Sequence, residues 1–77
     1  MRYKVYVIGS NAHYIGKSIV AAEYAQEANK TIDAFIHRDP HNHSDSWGYC
    51  HVDESDAVED VYAERKGILY YGIHYTG

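Results

Sequence analysis

The chain opens and closes on strict alternation, and this constrains its fold more than any other feature. In Arg2–Ile8, Tyr3, Val5 and Val7 fall on one side while Lys4, Tyr6 and Ile8 fall on the other, and Gly9 ends the run. In Ile68–Tyr75, Leu69, Tyr71, Ile73 and Tyr75 alternate against Ile68, Tyr70, Gly72 and His74. Period 2 places successive side chains on opposite faces of a strand, and both runs are rich in Val, Ile and Tyr, which suit a pleated surface. Strands are expected at both places.

Between them the pattern changes repeatedly. Ser18–Asn29 sets Ile19, Val20, Ala21, Ala22, Tyr24, Ala25 and Ala28 among Glu23, Gln26 and Glu27, and predicts a helix with Ser18 or Ser10 available as its cap. Thr31–His37 carries Ile32, Ala34 and Ile36 on one face and stops at Asp39-Pro40, which predicts a second strand. Trp47–Val52 is short, aromatic and alternating and predicts a third strand, joined to the second by a hairpin-like loop. Asp56–Lys66 has a capping-box-like Asp56-x-x-Glu59, apolar Val58, Val61 and Tyr62, basic Arg65 and Lys66, and Gly67 beyond; it predicts a second helix.

The expected order is β-α-β-β-α-β. In that order alone the chain resembles ferredoxin-like domains: α+β, a four-stranded antiparallel sheet with two helices on one face, here as a single small domain over residues 1–77. If Val5, Val7, Leu69, Tyr71 and Ile73 face the helices, the open face collects Lys4, Tyr6, Ile8, Tyr70 and His74. RNA-recognition domains of the same topology stack bases on such a surface. Burial against a second copy, or docking on a partner protein, fits the charge better.

That charge is net −4, eleven acids against seven bases, the wrong balance for a protein that works by neutralising long nucleic acids. With 77 residues and 45% apolar residues, the chain makes a small core for which association with a copy of itself is a common remedy. A lone Cys50, no run resembling a signal peptide, and no apolar stretch near the roughly twenty residues that span a bilayer predict a cytoplasmic protein away from membranes.

Three constellations carry possible chemistry. Gly16-Lys17-Ser18 ahead of the expected helix resembles a phosphate-binding P-loop, but Asn11 stands where the motif needs its first Gly. What survives is a helix start with Ser10, Asn11, His13 and Lys17 nearby, able to hold one anionic group. The segment from His37 to His51 holds four of the six histidines, and His41 with His43 and His51 could hold Zn²⁺, though no spacing matches a structural zinc site. Cys50 beside His51 suggests a nucleophile and base, yet neighbours on a strand point to opposite faces.

The sequence therefore predicts a non-enzymatic, cofactor-free binding protein, a homo-oligomer that captures a small anionic, nucleotide-like ligand or blocks a partner protein, in the manner of a phage accessory inhibitor. Tyr6, Ser10, Asn11, His13, Lys17, Tyr70 and His74 are its candidate contacts. The alternative is a zinc-binding protein using His41, His43 and His51.

Overall fold

The computed structural model describes residues 2–11, 14–36 and 48–75. In chain order these form β1 (Tyr3–Gly9), β2 (Tyr14–Ile15), β3 (Lys17–Ala22), α1 (Ala25–Ile36), a 3-10 turn (Glu54–Asp56), β4 (Ala57–Ala63), β5 (Gly67–Tyr70) and β6 (His74–Tyr75). Four strands make an antiparallel sheet in the order β4-β1-β3-β5, while β2 and β6 pair as a separate two-stranded ribbon. The α+β class and the four-stranded antiparallel sheet stand. The ferredoxin-like order with two helices on one face does not, because one α-helix lies among the described residues and the other expected helix, residues 56–66, runs as β4.

The expected elements shift for identifiable reasons. Residues 18–22 extend as β3 rather than opening a helix. Gly16, at φ 95°, turns the chain in a left-handed conformation, and a Cβ there would meet the Gly72 carbonyl oxygen. Ser18, fully buried, then accepts the Gly72 N–H at 3.0 Å. Ile19 and Val20 are β-branched and favour the strand. The helix begins later and continues through the expected second strand: Ala25, Ala28, Ile32 and Ile36 are its buried residues, spaced to share one helical face. That spacing includes the Ile32 and Ile36 whose alternation suggested a strand.

Cross-strand pairing assigns the two faces of the sheet. Tyr6 opposes Val20, Ile8 opposes Ser18 and Lys4 opposes Ala22, so these share a face. Tyr6, Ile8, Val20 and Ala22 join Ala25, Ala28, Ile32, Ile36, Tyr14, Tyr49, Val52 and Ile73 in one hydrophobic cluster, which makes this the helix side. Val5 opposes Ala21 and Val7 opposes Ile19 on the other side. The sequence-based assignment of faces is thus inverted for β1, whereas Ile73 and Tyr71 lie with the helix-side cluster as expected. Tyr6 and Ile8, the larger side chains, are fully buried under the helix, whereas Val7 is 42% exposed.

Candidate binding surfaces

The site residues expected from sequence divide among unrelated environments. Tyr6 is inside the core. Tyr70 opposes Ile19 on the face away from the helix and is 60% exposed. His74 lies in β6 opposite Ile15, with its ring edge-on to Tyr71 at 6.3 Å, and Tyr71 in turn packs on Phe35 at 4.5 Å. These three therefore do not form the open-face cluster expected, since β6 leaves the main sheet and the face of β1 is reversed.

The anion site also loses its geometry. Gly16-Lys17-Ser18 leads into a strand, so among the described residues no helix start follows this loop. The loop's backbone is engaged internally: Ser10 N–H donates to Gly16 O at 3.1 Å, Asn11 N–H to Gly48 O at 3.0 Å, and Tyr14 N–H to Asn11 O at 3.1 Å. Lys17 is exposed and opposes Gly9. His13, like His41 and His43, lies outside the described residues.

The expected strand at residues 47–52 is, over its described part, a strap from Gly48 to Asp53 with a single bridge, Tyr49 to Ser10. Two features fasten it to the helix. The Asn29 side chain donates to Val52 O and accepts the Val52 N–H, both at 2.9 Å, an amide standing in for a neighbouring strand. Farther along, the Glu54 carboxylate accepts from Lys4 Nζ at 3.1 Å, from the Tyr6 hydroxyl at 3.0 Å and from the Ala25 N–H. Ala25 is the first residue of α1, so a carboxylate distant in sequence caps the helix at its positive end. The Ala25 N–H, then Lys4 and Tyr6, hold the Glu54 carboxyl below its ordinary range despite some desolvation. Burial, with the Glu54 carboxylate beside it, pushes the Tyr6 hydroxyl up to about 12.

Between strap and helix lies a depression of about 370 Å³, lined by Gln26, Asn29, Lys30, Asp33, Tyr49 and His51. The Tyr49 hydroxyl and His51 Nε2 are 3.3 Å apart. Burial, and secondarily the negative charge of Asp33, pushes Tyr49 up to about 12. The Cys50 thiol points elsewhere, donating to Ser10 O at 3.4 Å, so Cys50 and His51 engage different partners. Among the described residues no group of three His, Cys, Asp or Glu side chains is placed to hold a metal ion, and His51 belongs to the Tyr49 pair. No described helix is long and apolar enough to cross a membrane.

Two further surfaces emerged, one that sequence reasoning missed and one, the open face of the sheet, that it expected with other residues of β1. One is β4, an edge strand whose central residues from Val58 to Tyr62 are all exposed. Val58, Val61 and Tyr62 stand there beside Glu59 and Asp60, and Arg2 lies 5.0 Å over the Tyr62 ring. Pairing with β1 breaks between Lys4 and Tyr6, and Asp60 takes φ 61°, so the strand bulges at its centre. The signal was available: residues 53–64 carry Asp53, Glu54, Asp56, Glu59, Asp60 and Glu64 and no base. The other is the sheet face opposite the helix, where Val7, Ile19 and Tyr70 surround buried Val5 and Ala21. Comparison with protein families, curated proteins and solved structures finds no match to the chain.

Proposed function

We propose that this chain is a small non-enzymatic binding protein that blocks a partner protein by presenting β4 to a basic surface. One observation carries the reading: an edge strand that exposes Val58, Val61 and Tyr62 together with Glu59 and Asp60. Exposed apolar side chains rimmed by like charges are the makings of a recognition surface, with Tyr a favoured anchor and the acids selecting a cationic partner. The bulge at Asp60 favours this over indiscriminate pairing, because a kinked, acidic edge is a poor template for another strand. Recognition then runs through side chains. The exposed free thiol of Cys50 supports a reducing, cytoplasmic setting.

Capture of a small anionic ligand at Ser10, Asn11 and Lys17 is the weaker reading, since the backbone donors there are already engaged. Zinc at His41, His43 and His51 has no supporting observation among the described residues. The test places a photo-crosslinking residue at Val61, and at Gln26 as control, in the full chain in its native cells. We expect one adduct at position 61 with a protein carrying a basic patch, weakened by salt and abolished by Glu59→Lys with Asp60→Lys. The absence of an adduct, or one indifferent to the charge reversal, overturns the proposal. Native mass spectrometry showing a few hundred daltons of bound anion would favour the ligand reading instead.

A further inference from the structure

Tyr62 is the aromatic anchor of β4, and a cation of the chain itself already rests on it. Tyr62 opposes Lys4 across the β1–β4 pair and is 53% exposed. The Arg2 guanidinium carbon stands 5.0 Å from the centroid of the Tyr62 ring, within reach of a cation–π contact. Arg2 is exposed, precedes β1, and makes no hydrogen bond or ion pair among the described residues. The ring is what holds it. Lys4, by contrast, is committed to Glu54 at 3.1 Å. Glu59 and Asp60, exposed on the same strand just before Tyr62, form no ion pair among the described residues. One edge thus combines an aromatic face that accepts a guanidinium with two carboxylates whose charge is uncompensated.

We infer that β4 takes an arginine side chain of its partner onto the Tyr62 ring, and that Arg2 fills that place in the free protein. The inference rests on the β4 reading and names the group that β4 selects. A basic surface presents lysine as well as arginine, and the ring separates the two. A guanidinium is planar and weakly hydrated, so it stacks on an aromatic face while its N–H fork stays free for carboxylates; an ammonium is a compact, strongly hydrated charge that gains less from the ring. Arg2 uses half of what the edge offers. It reaches the ring from the start of β1 and pairs with neither acid. An arginine arriving from outside the edge can use the ring and the acceptors of Glu59 and Asp60 together, and a guanidinium–carboxylate pair is among the stronger hydrogen-bonded contacts. Releasing Arg2 costs little, because it stands outside the β1–β4 ladder, whose pairing begins at Tyr3 with Ala63. Arg2 is therefore a resident competitor, displaced best by another guanidinium.

Nuclear magnetic resonance titration of the full chain with two capped pentapeptides, Gly-Arg-Gly-Arg-Gly and its lysine counterpart, tests it. The arginine peptide should bind several-fold tighter and shift the amides of β4. Tyr62→Leu should reduce it to the level of the lysine peptide, whereas Tyr62→Phe, which keeps the ring, should preserve the preference. Arg2→Ala should tighten the arginine peptide by about two- to fivefold, the worth of an exposed cation–π contact. Lys17→Ala removes the same charge at the far end of the β1–β3 ladder and should leave the affinity unchanged. Equal binding of the two peptides overturns the inference. So does a preference that survives Tyr62→Leu, or an Arg2→Ala variant that binds more weakly, which would make Arg2 a wall of the site and not its occupant. The two readings fail separately: a salt-sensitive adduct at position 61 without arginine preference removes this inference and leaves the β4 reading, while loss of the adduct removes both.

Discussion

Three side chains join parts of this fold that are far apart in sequence. Asn29 satisfies both backbone groups of Val52. Asn29→Ala would leave that N–H and carbonyl without their partner, at a cost of about 1–3 kcal/mol, and should lower the urea midpoint and speed amide exchange at Val52. Asn29→Asp should recover only part of the loss, because a carboxylate keeps the acceptor and loses the donor. Tyr6→Phe removes the hydroxyl donated to Glu54, and about 1 kcal/mol is expected in denaturant titration, moderated because Glu54 is itself half exposed. Glu54 also fixes a pH dependence. Its folded pKa is depressed, so its contribution is present above the ordinary carboxylate value and is lost as pH falls through the lower folded value. Glu54→Gln should therefore lower stability at pH 7 and converge on the wild type toward pH 2. For Tyr6 the sign is opposite: with a folded value of about 12 against 10, stability declines as pH rises from 10 through 12.

Among the elements, the turn between β2 and β3 is the most exacting. Gly16 combines φ 95° with a Cβ position that the Gly72 carbonyl oxygen occupies. Gly16→Ala should cost well over 1 kcal/mol and expose the β2–β6 ribbon to proteolysis before the main sheet opens, a sequence of events that limited digestion would show. The helix tolerates less at its buried face than elsewhere. Ile32→Ala should cost about 2–5 kcal/mol by thermal melting, whereas Gln26→Ala, on an exposed position, should be near neutral. Element identity was only partly legible in the sequence. Strand β1 was, because it is a run of β-branched and aromatic residues that stops at Gly9. Residues 18–22 were not: as the buried end of a central strand they read as an Ala-rich apolar run, which periodicity cannot separate from helix. Residues 57–63 misled for the opposite reason, since a strand exposed along nearly its whole length has no apolar face to reveal its period. The cap expected at Asp56-x-x-Glu59 lies instead three residues earlier, where Asp56 accepts the Asp53 N–H in a 3-10 turn, and no helix follows it before β4.

For the whole molecule, the helix-side cluster draws from α1, the central strands β1 and β3, Tyr14 of β2, Ile73 and the 48–53 strap, so strap, helix and sheet should be lost together. Near-ultraviolet tyrosine signals and far-ultraviolet dichroism should trace one coincident unfolding curve in wild type, in Asn29→Ala and in Ile32→Ala. Two separated transitions would show that the strap is a separate unit.

The sequence by itself determined the mixed α+β class, the opening strand, the start of the closing strand run and the net negative charge. Each of these follows from local periodicity or from composition, which need no partner to be read. Only the tertiary structure decided which face of β1 is inside, that one long helix replaces an expected helix and strand, and that Tyr6, Tyr70 and His74 stand apart. The physical reason is that Tyr3, Val5 and Val7 are as apolar as Tyr6 and Ile8, so alternation defines two faces without ranking them. The ranking came from long-range contacts: Ala25, Ala28, Ile32 and Ile36 fit over Tyr6 and Val20, and a distant Glu54 caps the helix that carries them.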